Sequence, residues 1–394
     1  MGKIELDHTG SGGGITLSSD GTDLLLDGTA IGGGGGSALE LYAENPSSAT
    51  APSATGTNAV AIGSGTIAQG PNDVVLGTDS DTTTLGDSVA IGNNARSQAL
   101  RGLAIGYNSR ASNRDTIAIG SDTHCFSNEA MALGHNAISG GTQAVALSDS
   151  YASGTDSFAA AIATNSSSYG ATGSNSIAMG YQAKATNTYS ATFGGFRCQT
   201  TGGGAASLGG FDNVASGSYS TVIGGRDSTA DASYSYALGR GSHTQGIESR
   251  MAFAGSASNG DMQSGYFCLA KNTTDATATA LVTNVYPAAS TTNQIILPNN
   301  SAYAFHGTIV ARQQASGGTA SAAWKVEGLI RREGSAGTTV LVNSATTVLD
   351  NTPSWGMALS ADTTNGGLAI TVTGAASTNI RWVATIHTSE VTYA

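Results

Sequence analysis

The chain has 394 residues, 55 of them glycine, and only 11% are charged, where an ordinary soluble domain is roughly 25% charged and about 7% glycine. Helical and α/β enzyme folds fit this poorly, because each interior glycine costs a helix about 1 kcal/mol. A net charge of −11 with a pI near 4.8 excludes the basic footprint of a nucleic-acid binder, and no apolar run of about 18 residues offers a membrane-spanning helix.

Residues 1–31 read as short strands: Ile4-Glu5-Leu6, Ile15-Thr16-Leu17 and Leu24-Leu25-Leu26, with Gly-rich and Asp-Gly turns between them. The start, MGKIELDHTGSGGG, has no charged region followed by an apolar one, so no secretion signal is expected. Too short to bury a core, this segment is expected to be an arm that docks on another assembly or intertwines with its own copies. Ile4, Leu6, Ile15, Leu17, Leu24 and Leu26 are its candidate attachment residues. The competing reading is an unstructured terminus. Residues 32–56 form a joint and connector, beginning with the run Gly32 to Gly36.

A four-residue word then recurs: apolar, small, apolar, Gly. It appears as Val60-Ala61-Ile62-Gly63, Val89-Ala90-Ile91-Gly92, Ile117-Ala118-Ile119-Gly120 and so on to Met251-Ala252-Phe253-Ala254. Its fourth positions fall at 63, 77, 92, 106, 120, 134, 148, 163, 180, 194, 209, 224, 239 and 254. The steps are 14 or 15 residues, apart from one of 17 after Ala163. Alternation of period two predicts a strand. The glycine permits a positive φ at the corner, which assigns that role to Gly63, Gly92, Gly106, Gly120, Gly134, Gly180, Gly194, Gly209, Gly224 and Gly239. Such a period holds two short strands and two turns, and stacked coils about 4.8 Å apart give a parallel β-solenoid roughly 60–65 Å long over 57–261. Ala90, Ala104 and Ala118 are read as outward, letting neighbouring backbones approach. From residue 194 the step becomes 15, and Tyr189, Tyr219 and Tyr234 are spaced for an aromatic ladder.

Words such as Asp87-Ser88-Val89-Ala90-Ile91-Gly92-Asn93-Asn94-Ala95 and Asn175-Ser176-Ile177-Ala178-Met179-Gly180-Tyr181-Gln182-Ala183 resemble the head repeat of trimeric autotransporter adhesins, the YadA-like heads. The resemblance implies a left-handed β-roll and an obligate homotrimer. That family adds a coiled-coil stalk and a membrane anchor, neither of which is recognised here. The arm-then-shaft layout instead resembles bacteriophage tail fibres.

Beyond residue 262 the repeat stops and all three tryptophans appear. Strand-like runs at 303–312, 323–332, 338–342, 368–373 and 380–386 predict an antiparallel β-sandwich or jelly roll over 262–394. The whole is therefore all-β: a trimeric parallel shaft followed by an antiparallel distal domain. Rigid strands present functional loops, so receptor contact is assigned to the loops 313–322, 333–338, 350–355 and 361–367, with Gln313, Gln314, Asn351, Trp355, Asp362 and Asn365 as candidates. Trp355 is a candidate sugar platform, with core packing the favoured competing reading; Trp324 and Trp382 are read as core.

Catalytic words such as GxSxG, HExxH and the P-loop are absent, and no enzyme, cofactor or metal is expected. Asp79 with Asp81, and Asp227 with Asp231, are the nearest thing to a glycosidase pair, with exposed turn carboxylates as the competing reading. His124, His135 and His243 are the histidines a three-fold axis could gather. Cys125, Cys198 and Cys268 read as buried free thiols. The expectation is a phage tail fibre located in the virion. Its N-terminus would be held by a tail adaptor, nozzle or baseplate protein. Its C-terminus would meet a host polysaccharide or outer-membrane receptor, with no nucleic-acid partner and no membrane insertion. The alternatives are a polysaccharide-degrading tailspike and a bacterial trimeric surface adhesin. An ice-binding solenoid is set aside because no coil position is consistently threonine.

Overall fold

The structure, a computed structural model, describes residues 50–163, 167–255 and 259–393, together with the strands Ile4–Leu6, Ile15–Ser19, Leu24–Leu26 and Thr29–Ala30. These four strands pair antiparallel in chain order, with Ile4 opposite Leu17 and Leu17 opposite Leu26. The Gly32–Gly36 joint, and the connector as far as residue 49, lie outside the described residues.

The described chain is all-β, its only helices being two 3-10 turns at Ala315–Gly317 and Ala336–Thr338. From Ser53 to Gly255 it winds as a parallel β-solenoid of about 14 coils. One sheet is made of the repeated words, which stack in register: Val89 on Leu103, Ala90 on Ala104, Ile91 on Ile105, and those in turn on Ile117, Ala118 and Ile119. The other sheet is made of two-residue return strands, from Ser53–Ala54 to Thr229–Ala230.

The orientation of the words differs from the expectation. Ala90, Ala104 and Ala118 are fully buried inside the coil, whereas Val89 and Ile91 face outward and are half-buried. The reason is space. A coil closed by a two-residue return strand brings its sheets so close that the word's middle position accepts small side chains only, Ala in most coils and at most Val or Thr, as at Val75, Thr192 and Val222. Return strands accordingly contribute Ala68, Ala111, Cys125, Ala152 and Ala171 from the other side.

A regular coil has three left-handed positions. One is the predicted glycine, and all ten named above have positive φ. At Gly120, with φ 137°, a Cβ would stand 1.7 Å from the Gly134 carbonyl oxygen. In the 15-residue coils the roles separate: Gly194 has open space around its Cβ direction, and Gly195 makes the close approach, 2.5 Å from the Gly210 oxygen. Another is mixed, including Arg101, Asp115, Glu129 and Gln143, and the one two residues after the glycine carries mostly Asn and Asp, residues that tolerate this region. Their amides form ladders, Asn94 donating to Asn108 at 2.9 Å and Asn108 to Asp122 at 2.7 Å.

Two local expectations change. The word at 160–163 is displaced: the strand is Phe158–Ala160, in register with Val145–Leu147 before it and Ile177–Met179 after it. The long step is therefore an insertion that the roll passes without losing register. The tyrosine ladder contains Tyr219 and Tyr234, stacked at 5.2 Å. Tyr189 is not part of it, because the coil between has Gly204, whose place beside the Tyr219 ring leaves no room for a side chain.

The last word strand, Met251–Gly255, pairs parallel with Tyr236–Arg240 and antiparallel with Met262–Thr273. The roll's sheet thus continues into a five-stranded antiparallel sheet of order 262–273, 380–392, 301–313, 321–332, 340–350. A smaller sheet, Gly367–Thr373 with Gly356–Asp362 on one edge and Thr279–Ala280 and Ile295–Ile296 on the other, completes a sandwich. Its core is large and aromatic: Phe267, Tyr303, Phe305, Trp324, Trp355 and Trp382 lie among Ile and Leu.

Candidate binding surfaces

The six receptor candidates occupy three places. Gln313 and Gln314 leave the strand Ser301–Gln313 and enter a hairpin turn. There they line an open cleft of about 500 Å³ with Asn272, Thr273, Arg312, Asn379 and Arg381. Asn379 Nδ2 donates to Gln314 Oε1 at 2.8 Å, and Gln313 Nε2 donates to the Gly317 carbonyl at 2.7 Å. Arg312 and Arg381 stand opposite one another on adjacent strands. The lining carries two guanidinium groups and several amides but no carboxylate, a set suited to hydroxyl-rich or anionic ligands.

Trp355 is a correction. It is 5% exposed and packs its ring on Trp382, with centroids 5.7 Å apart, so it builds the core and offers no sugar platform. The surrounding turn is a loop as expected, but Asn351 staples it. Its Oδ1 accepts from the Trp355 amide at 2.9 Å and its Nδ2 donates to the Trp355 carbonyl at 2.8 Å. Asp362 and Asn365 are likewise joined to each other, Asn365 Nδ2 donating to Asp362 Oδ2 at 2.7 Å. Burial pushes the Asp362 carboxyl up, but bonds from Asn365, Thr364 and Gln294 outweigh it and hold the group below the usual carboxylate range. Trp324 and Trp382 are core, as read from sequence.

The junction of roll and sandwich holds a polar network that sequence reasoning missed. Arg250 and Glu390, both fully buried, form an ion pair. Arg250 also donates to Gln245, Gln263 Nε2 donates to Glu390 at 3.0 Å, and Thr388 Oγ1 donates to Glu390. The Tyr303 hydroxyl reaches Gln245 at 2.9 Å; burial, with Glu390 nearby, raises its pKa far above the ordinary value. Beside this network lies a shallow open depression of about 540 Å³ lined by Asp231, His243, Gln245, Asp261 and Arg332, among others. Burial would raise the Asp231 carboxyl, but His243 at 2.9 Å, the Gly246 amide and Thr244 outweigh it and hold it far below the usual range. Asp227 sits on an exposed corner with Arg226 at 3.0 Å. Both carboxylates are therefore engaged with structural partners.

The remaining histidines are separate: His135 faces Asp149 at 3.2 Å, and His124 is lowered by burial and by neighbouring Arg110. Among the described residues no group of three or more His, Cys, Asp or Glu is placed to hold a metal. Cys125 and Cys198 are buried free thiols, and burial pushes Cys125 up to about 12. Cys268 departs from the expectation in being exposed.

The longest surface is the outward side of the roll's word sheet. One of its two outward rows is apolar throughout, with Ile91, Ile105 and Ile119 and then Met179, Phe193 and Phe253 in later coils; the other, with Val89, Leu103 and Ile117, is apolar except at Thr221. The return sheet's outward row is mixed and polar instead, running Asp81, Arg96, Arg110, His124 through consecutive coils. A second aromatic column, Tyr181, Phe196 and Phe211, stacks at 4.8 Å per step with Arg197 and Arg226 over its rings.

With this geometry in place, comparison with known proteins is informative at one point. The family model of the YadA head domain repeat (2 copies) matches residues 54–80, 86–109, 97–123, 128–147 and 171–191. All of these lie within the roll, whose repeats are therefore similar to YadA heads, and all precede the coils with paired glycines. No curated protein matches the chain.

Proposed function

We propose that this chain forms a homotrimeric fibre, with three rolls side by side as the shaft and the C-terminal sandwiches recognising a host surface. The observation that carries the reading is the unbroken apolar row from Ile62 to Phe253 on one sheet of a roll whose other sheet presents a mixed row of charged, polar and apolar residues. A surface of that size left in water would be an aggregation hazard, and burial between copies is the ordinary reason for one. The similarity to YadA heads supports the same assembly. Three weak contacts presented together gain avidity through effective concentration, so recognition requires no deep site on one copy. The cleft around Gln313, Gln314, Arg312 and Arg381 is the candidate contact. The reading assigns no catalytic step.

Within this reading the chain is a phage tail fibre, attached to the tail through residues 1–31. The match to YadA heads favours a second placement, on a bacterial surface. Light scattering tests the assembly: a mass of three times 39.1 kDa is expected, and a monomer would remove the proposal. Antibody labelling tests the location. Signal on purified virions places the chain in the tail, whereas signal confined to intact bacterial cells makes it an adhesin.

A further inference from the structure

We infer that the outer face of the C-terminal five-stranded sheet is also an interface between copies of this chain, so that the sandwiches form one fused head. This rests on the trimer reading above and extends it to a domain that the repeat similarity does not reach.

The argument begins with register. Met251 pairs with Tyr266 and Phe253 with Ser264, and residues opposite one another on paired strands share a face. The outward row of the roll therefore runs without interruption onto the outer face of the sheet. Over the three strands nearest the roll, that face is poor in charge. An antiparallel sheet with one solvated side normally shows polar and charged residues there. Here the outer positions of the strands 262–273, 380–392 and 301–313 carry no carboxylate. Their only guanidinium groups are Arg312 and Arg381, together at one end. The rest of these outer positions include Ala270, Ala302 and Ala304, with Ser and Thr, small enough for close approach.

Met262, Tyr266, Val310, Leu329, Val383 and Val391 are each 39–52% exposed on this face. The polar row Tyr266, His387, His306 crosses its middle with rings in contact, 4.0 and 5.3 Å between centroids, and continues to Glu327 on the next strand. The three charge-poor strands cover roughly 600 Å² at standard strand spacing; the fourth, where Leu329 stands among Lys325, Glu327 and Arg331, forms a charged rim that brings the face to the roughly 800 Å² one partner contributes to an ordinary stable interface. The occupant is a second copy, because the face continues the surface that the roll turns toward its own copies.

Cys268 lies on this face and is exposed in the single chain, which makes it a reporter in the full-length protein. A second thiol, Thr363→Cys, stands in the exposed turn of the small sheet on the other side of the sandwich. The full chain is weighed by light scattering and then treated with a polyethylene-glycol maleimide under native conditions. The expected result is a mass of three chains with Cys268 labelled about tenfold or more slowly than the thiol at 363, since thiol reaction follows access. Three chains with equal labelling would overturn the inference and leave the roll trimer standing. A single-chain mass would overturn both. Independently, Val310→Asp is expected to lower the melting temperature of the full chain, and an unchanged value would count against the interface.

Discussion

The roll and the sandwich solve the same problem at opposite scales. The sandwich encloses Trp324, Trp355, Trp382, Phe267 and Phe305 and buries enough apolar surface within one chain to hold itself together. The roll encloses alanines, with serines and threonines bonded to nearby backbone, such as Ser139 Oγ to the Ala144 carbonyl and Thr192 Oγ1 to the Lys184 carbonyl. Its larger apolar side chains are on the outside. A thin coil gains its regularity from backbone ladders and draws its hydrophobic stabilisation from whatever packs against it.

The largest test of that difference is at the joint. Glu390→Gln leaves Arg250 as an unpaired buried charge and is expected to cost about 3–5 kcal/mol, while replacing both by apolar residues recovers most of it. Urea unfolding of the three variants reads this directly. Trp382→Ala is expected to cost the sandwich about 3–5 kcal/mol while the roll keeps its own transition; a single shared transition would merge the two regions.

In the roll, Gly120→Ala sets a Cβ against the next coil's backbone at a left-handed position and is expected to cost roughly 2–4 kcal/mol, measured as a shift in the roll's thermal transition. Ile119→Asp sharpens the comparison from outside: secondary structure by circular dichroism should persist while the mass by light scattering falls. The smallest effect belongs to acid. The depressed Asp231 carboxyl contributes stability that is complete above its unfolded value of about 4 and is lost as the pH falls through its lower folded value. Asp231→Asn should therefore flatten the acid limb of a stability–pH curve.

Much of this was legible in the residues, and for reasons that explain the exceptions. A repeat of 14 or 15 with glycine at one corner leaves little but a parallel roll, and the loss of repeat with the arrival of tryptophan marked the sandwich. Period-two alternation says that Val89 and Ala90 point opposite ways, but not which way is in. The length of the return strand decides that, because a coil closed by two residues favours the smaller side chain, Ala90, inside. The second corner also left a trace, an Asn or Asp two residues after the glycine at Asn94, Asn108 and Asp122. Trp355 looked exposed because Pro353 and Ser354 make its surroundings a loop, yet a loop backbone on the surface can send its ring inward. The Arg250–Glu390 pair was out of reach: its partners are 140 residues apart, and nothing local in either segment anticipates the other.

The join between roll and sandwich also decides how the molecule answers a pull. In the roll, hydrogen bonds between coils run along the rod, so tension on a held tip passes through every coil in series. Successive coils share between two and five register pairs in each sheet around Gly92, whereas Met262–Thr273 and Ile380–Thr392 share twelve. Under load the rod would part between coils before the head came away from its own strands. In the proposed trimer, side-by-side packing of three rods would act as a splint, sharing the load across three ladders.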